Sequence, residues 1–217
     1  MCPLHCRVHT HAICFSLPTF ALQTFYMSKQ VLFIQGGGGK EDYNADAKLV
    51  ASLREAIGEA YTVYYPPMLD EHAPDFGRKK QIQQELVAIE GTVILVGHSL
   101  GASMILKLLS ESQVDKKIEG IFLISTPFWS GDEDWVEGLK LQTNFAAKLP
   151  ANVPVFLYHC SDDEEVPFDH LDRYAQKLQQ AIVREIAGGG HQLDNDLSLV
   201  AKDIQSLRSG GEVSAPI

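Results

Sequence analysis

From residue 31 onward the chain is punctuated by short apolar, β-branched or aromatic runs: Val31–Ile34, Tyr61–Tyr65, Thr92–Val96, Gly120–Ile124, Val153–Tyr158 and Ile182–Ile186. A parallel strand is covered on both faces, so it shows a continuous apolar run instead of an alternation; each of these predicts a buried strand. Between them the apolar residues recur at three and four. Leu49, Leu53 and Ile57 form one stripe and Ile82, Leu86 and Ile89 another. Leu171, Tyr174 and Leu178 share a face, as do Leu197, Val200, Ile204 and Leu207. Such spacing predicts amphipathic helices. Strands alternating with helices predict a parallel sheet in an α/β layer architecture. In open sheets of this kind ligands bind at the carboxyl ends of the strands. The loops that begin near Gln35, Pro66, Gly97, Ser125, His159 and Ala187 are therefore where chemistry is expected.

Composition narrows the class. The chain has 217 residues, 45% hydrophobic and 21% charged, with a net charge of −10. That suits a single domain able to bury roughly 70% of its unfolded surface, without disulfide or metal staples. No apolar run reaches the ~18 residues a membrane span needs, so no membrane insertion is expected. The acidic balance disfavours phosphate backbones, so no nucleic-acid partner is expected.

Residues 1–26 differ from the rest. Arg7 is their sole charged residue, apart from histidine, and they hold Cys2, Cys6 and Cys14. The break predicts one domain over 27–217 and a preceding extension, such as an unused upstream start. A signal peptide would have Arg7 and an apolar region over 12–25, but Pro18 interrupts it and no small-x-small cleavage site follows. Cys2, His5, Cys6, His9, His11 and Cys14 are zinc-type ligands without a second half-site to close a tetrahedron, so no metal is expected. Residues 27–217 carry 17 basic and 28 acidic residues, a charge of −11, and Cys160 alone among cysteines. A nearly cysteine-free interior suits the cytoplasm. The tail from Ser209 is expected to fray.

The third run leads into Gly97-His98-Ser99-Leu100-Gly101 and an apolar helix over Ala102–Leu109. Gly-x-Ser-x-Gly between strand and helix is the pattern of a nucleophile elbow. A sharp turn forces the serine into an unfavourable backbone conformation, and its neighbours must be small to allow close approach. The turn lifts the Ser99 hydroxyl clear of the sheet. It also places the Leu100 N–H at a helix N-terminus, ready to donate to an oxyanion. His98 points elsewhere in such a turn and is read as a packing residue. Gly36–Gly39 lacks the Lys-Ser/Thr of a P-loop, since Glu41 follows Lys40, and Glu41 also breaks a dinucleotide fingerprint.

A serine nucleophile needs a base, and the base an orienting acid, in the chain order Ser, acid, His. His191 follows Gly188-Gly189-Gly190 at the end of the sixth strand. After the fifth strand come Asp162, Asp163, Glu164 and Glu165, any of which could orient it. These residues and the elbow resemble the α/β-hydrolase superfamily, whose acid loop commonly reads Asp-x-x-Val-Pro; Asp163 stands at that spacing before Val166-Pro167. The resemblance covers residues 30–207, and the size is similar to compact serine hydrolases of the retinoblastoma-binding protein nine type. It implies a three-layer α/β-hydrolase fold with a mainly parallel six-stranded sheet in the order 2-1-3-4-5-6, lacking the family's N-terminal antiparallel edge hairpin. It also implies that the first loop, Gln35-Gly36-Gly37, supplies the second oxyanion N–H. Gly37 fits best, with Gly36 the close alternative, and Gln35 replaces the family's usual histidine.

The family inserts its lid after the strand ending at Ser125. Here residues 126–150 form a short insert, expected to contain one helix. It carries Phe128, Trp129, Trp135, Phe145, Asp132, Glu133, Asp134 and Glu137. Phe128 and Trp129 are expected to line an aromatic-walled, acid-rimmed pocket, with Pro66, Pro67 and Met68 shaping another wall. The expected activity is hydrolysis of a small carboxylic ester through an acyl-enzyme, as in carboxylesterases, with no cofactor. A thioesterase, peptidase or acyltransferase would use the same triad, and a noncatalytic binding protein could share the scaffold.

Overall fold

The computed structural model describes residues 28–37, 39–130 and 136–207. The cysteine- and histidine-rich segment, Asp132, Glu133, Asp134, Trp135 and the tail from Ser209 lie outside the described residues. Six strands form one sheet: β1 Lys29–Ile34, β2 Tyr61–Tyr64, β3 Val93–His98, β4 Ile118–Ile124, β5 Val155–Cys160 and β6 Ile182–Ile186. All pairings are parallel and the order is β2-β1-β3-β4-β5-β6. Five helices connect or flank them: α1 Lys40–Ile57, α2 Arg78–Ala88, α3 Leu100–Glu111, α4 Asp169–Lys177 and α5 Ser198–Ser206. Among the described residues there is no antiparallel edge hairpin.

The unbroken apolar runs reflect two separate cores. Alternate strand residues Leu32, Ile34, Leu95, Leu123 and Leu157 face α2, α3 and α4. Their neighbours Val31, Phe33, Val96, Phe122 and Phe156 face α1 and α5. A polar side chain on either face of the central strands would be buried unpaired, and Val31–Ile34 and Val93–Val96 carry none. Each fully buried Leu, Ile or Phe contributes about 1.5–3 kcal/mol by leaving water. Leu95→Ala, at 0% exposure, would cost about 2–5 kcal/mol through the lost transfer and the cavity left behind.

The stripes locate the helices but understate α1, which begins nine residues before Leu49. Its first turn holds Glu41 and Asp42 against the helix dipole, and Asp42 accepts the Gly39 N–H at 2.9 Å. β5 starts at Val155, not Val153, because Pro154 has no N–H to donate. The expected helix in the 126–150 insert is not found among the described residues; a 3-10 turn, Phe145–Lys148, stands in its place. Aromatic residues are dense there but have no helical period.

The register brings the carboxyl ends of the strands level. Ile34 stands opposite Gly97, His98 opposite Ile124, Ile124 opposite Tyr158 and Cys160 opposite Ile186. The loops after β1, β3, β5 and β6 therefore share one rim.

Candidate active site

Ser99 sits between β3 and α3 at φ 49° and ψ −122°, a conformation that L-residues avoid unless the surroundings impose it. The imposition is visible at its neighbours. A Cβ on Gly97 would lie 2.7 Å from the Ala102 Cα, and one on Gly101 would lie 2.3 Å from the Gln35 carbonyl oxygen. The elbow thus works only with glycine on both sides. Ser99 N–H donates to the Ile124 carbonyl at 2.8 Å, and Ser99 and His191 line one cavity of about 540 Å³.

His191 Nδ1 lies 2.9 and 3.1 Å from the two Asp163 carboxylate oxygens. Because a carboxylate only accepts, Nδ1 carries the proton and Nε2 is left as a basic lone pair. Asp163 has a fully buried side chain. It accepts the N–H groups of Glu165 and Val166, both at 2.9 Å, and faces His159 Nε2 at 3.2 Å. Burial opposes its ionisation, but the hydrogen bonds from His159, His191 and Val166 outweigh that and hold the carboxyl well below the usual carboxylate range. Asp162 does different work: it accepts the Gly190 N–H at 3.0 Å and the Gly189 N–H at 3.3 Å, fixing the glycine loop that carries His191. Glu165 reaches to 3.7 Å from His191 Nε2 at the rim.

The two oxyanion candidates in the first loop are separated by their partners. The Gly36 N–H is taken by Asp46 Oδ2 at 2.7 Å, whereas the Gly37 N–H forms no hydrogen bond among the described residues. Gln35 Nε2 and Arg78 Nη2 both donate to the Gly37 carbonyl, at 3.2 and 2.6 Å. Gln35 Oε1 in turn accepts the Met68 N–H at 2.9 Å. Gln35 therefore braces the loop from a position where the superfamily has histidine. Leu100 opens α3 beside Ser99, so its N–H is the second free donor at the cavity.

The walls depart from expectation at Phe128 and Met68. Trp129 lines the Ser99 cavity, its indole N–H held by Ser103 Oγ at 3.0 Å. Phe128 instead lines a neighbouring cavity of about 210 Å³, with Trp129 as the partition between them. Met68 is buried in the core, and the facing wall is Phe76, held at φ 55°. Among the described residues the acids at the cavity are Asp42, Asp46 and Glu165, and Glu137 pairs with Lys140 at 2.9 Å; Asp132, Glu133 and Asp134 lie outside them.

Sequence reasoning missed Asp46, His159, Arg78 and His170. Asp46 carried a signal: it is an acid on the apolar stripe of α1, one turn before Leu49 and Val50. His170 lines the cavity and accepts the Phe128 N–H on Nδ1 at 3.0 Å; burial moves its titration below the ordinary histidine range. Cys160 is buried, and burial first, then Asp162, Asp163 and Asp194, pushes its thiol up to about 11. It carries no appreciable thiolate at neutral pH. Among the described residues no cluster of three or more His, Cys, Asp or Glu side chains is placed to hold a metal ion, and no helix is long and apolar enough to cross a membrane.

The same architecture recurs in solved structures. Est1E from Butyrivibrio proteoclasticus superposes with a TM-score of 0.63 at 16% identity, covering 82% of this chain and 86% of that one. Arabidopsis thaliana SOBER1 gives 0.59 at 15%, covering 81% and 97%. The ydeN gene product of B. subtilis gives 0.58 at 22%, covering 83% and 98%. At these identities the likeness establishes the fold. No curated protein matches the chain in sequence. The family described as serine hydrolase matches residues 70–198, more than half the chain and a span that includes the elbow, the acid loop and His191. The chain belongs to the serine hydrolase family and has the α/β-hydrolase fold.

Proposed function

We propose that the protein hydrolyses small carboxylic esters through an acyl-enzyme. The observation that carries this reading is the shared cavity: a serine held at a strained elbow, facing a histidine whose tautomer is fixed by a buried carboxylate. Ser99 Oγ attacks the ester carbonyl while His191 Nε2 takes its proton. The N–H groups of Leu100 and Gly37 receive the charge on the tetrahedral oxygen. The carbon–oxygen bond to the leaving alcohol then breaks, and His191 returns the proton to it. Water, activated by the same histidine, attacks the acyl-enzyme, and the acid departs with Ser99 restored. Asp163 holds the imidazole throughout and stays ionised. All the groups used are protein groups.

A volume of about 540 Å³ suits a drug-sized molecule. Trp129, Phe76 and Val166 give it apolar walls, and the acids Asp42 and Glu165 make it a poor host for anionic substrates. Est1E has been solved with ferulic acid bound, so a ferulate ester belongs beside short acyl esters in a substrate panel. Thioesters and anilides in the same panel separate esterase from thioesterase and peptidase chemistry.

A fluorophosphonate probe should label Ser99 in the folded wild type and leave Ser99→Ala unlabelled. Folded wild type that takes no label would overturn the enzyme reading in favour of a binding protein.

A further inference from the structure

Acyl transfer accounts for Ser99, His191, Asp163 and the two N–H donors, but leaves a buried ion pair beside them without a role. His98 is 1% exposed. Its Nδ1 lies 2.9 Å from Asp46 Oδ1 and 3.0 Å from Oδ2. Its Nε2 lies 3.0 Å from the main-chain carbonyl of His191. A carboxylate and a carbonyl can only accept. A neutral imidazole has one N–H, so it would leave a lone pair facing an oxygen at hydrogen-bonding distance. Only an imidazolium satisfies both contacts.

The partners of this imidazolium lie on the loops that must cooperate in acyl transfer. Asp46 also accepts the Gly36 N–H at 2.7 Å and the Gln192 side-chain amide at 3.1 Å. Gly36 immediately precedes the oxyanion donor, Gln192 immediately follows the base, and His98 immediately precedes the nucleophile. Resting on the reading of Ser99 and His191 as nucleophile and base, we propose that protonated His98, with Asp46 as counter-ion, is a positioning residue that sets the oxyanion loop and the base loop at a fixed separation across the elbow.

The surroundings support the charge. Asp46 faces His98 from α1, and Asp163 acts on it from the loop after β5. From the loop after β6 comes the His191 ring, its centroid 4.7 Å away and tilted by 51°. From the loop after β4 comes the neutral Ser125, whose hydroxyl donates to the same His191 carbonyl at 3.2 Å. Burial works against protonation of His98; the hydrogen bond and charge of Asp46 outweigh it and hold the ring above the ordinary histidine range. Asp46 is in turn held below the carboxylate range by His98 and by the Gly36 and Gln192 donors, against its own burial.

Two measurements on the wild type test this without relying on a variant that folds. In protein labelled with 15N-histidine, both His98 ring nitrogens should carry protons at pH 8, where a free imidazole is largely neutral. On raising the pH further, loss of the second ring proton should coincide with a fall in kcat for p-nitrophenyl acetate. A third measurement uses Asp46→Asn, which keeps an acceptor for Gly36 and removes the counter-charge. It should lower kcat about 10- to 100-fold, the scale for a misplacement of about 1 Å, with KM within about threefold and fluorophosphonate labelling slowed in parallel. A single ring proton on His98 at pH 8, a kcat indifferent to its titration, or wild-type turnover in Asp46→Asn would each overturn the proposal. Failure of wild type to take the fluorophosphonate would instead strike the serine hydrolase reading, a separate outcome.

Discussion

Replacing Asp163 by Asn tests the orienting role of the acid with almost no change in volume. Oδ1 of Asp163 accepts two main-chain N–H groups, from Glu165 and Val166, while Oδ2 faces His191 Nδ1 at 2.9 Å and His159 Nε2 at 3.2 Å. An asparagine must keep its oxygen on the main-chain side, where two fixed donors point at it. Its NH2 group then faces His191 Nδ1, which can stay bonded only by giving up its proton. The imidazole therefore switches to the tautomer with the proton on Nε2, the nitrogen that must accept from Ser99. In a serine triad that switch costs about 10⁴ in kcat, or about 5 kcal/mol of transition-state stabilisation. Asp162→Asn is the control. Asp162 is exposed and holds only the Gly189 and Gly190 N–H groups; an asparagine oxygen keeps the shorter of the two bonds, so turnover should stay within about tenfold. Initial rates on p-nitrophenyl acetate for both variants, with circular dichroism to confirm folding, decide the matter. Equal losses, or a larger loss at Asp162, would refute the assignment of the acid and the tautomer argument with it.

Acid and alkaline stability should follow from the same groups. Asp163 and Asp46 titrate below the ordinary carboxylate value near 3.8, so the unfolded chain binds more protons as the pH falls; their contribution is present above that value and is lost below it. His98 titrates above its ordinary 6.5, so its contribution is full below 6.5 and is lost as the pH rises through the folded value. Urea midpoints from pH 3 to 9 should show both limbs, and Asp46→Asn should flatten them; unchanged limbs would contradict the pairing. Gly101→Ala should destabilise by about 3 kcal/mol, the upper end for overpacking, because the new Cβ meets two main-chain oxygens, those of Gln35 and Ile34 at 2.3 and 2.5 Å. A midpoint equal to wild type would mean the elbow can relax.

The sheet was legible because its inner strands β1, β3, β4 and β5 are buried on both faces over most of their length, and an unbroken run such as Val31–Ile34 has few other places to go; the edge strands β2 and β6 are only partly buried. Chain order then aligned Ser99, the acidic loop and His191 on one rim. Asp163 was distinguishable from Asp162 only through the Val166-Pro167 spacing of the superfamily. Gly37 was favoured over Gly36 only through the resemblance; that the Gly36 N–H is taken by a carboxylate ten residues away had no trace in sequence. The His98–Asp46 pair spans 52 residues, so neither partner announces the other, although an acid on the apolar stripe of α1 demanded a partner of some kind. The 126–150 insert was least legible: with little regular structure among its described residues, these follow the surfaces they touch, which is why Phe128 misses the Ser99 cavity that its neighbour Trp129 lines.

The level carboxyl ends of the strands have a counterpart at the amino ends. Every reactive group described above hangs from one rim, whereas the turns that feed β2 and β3 at the opposite rim (58–60 and 90–91) are exposed. Exposed turns of this kind accept added length readily. A peptide tag inserted between Glu90 and Gly91 should leave ester turnover within about twofold of wild type, since it lengthens a closed turn at small entropic cost; a large loss would mean that the two rims are mechanically coupled through the sheet. The rim opposite the chemistry is thus where a tether or an added module could be grafted without disturbing turnover.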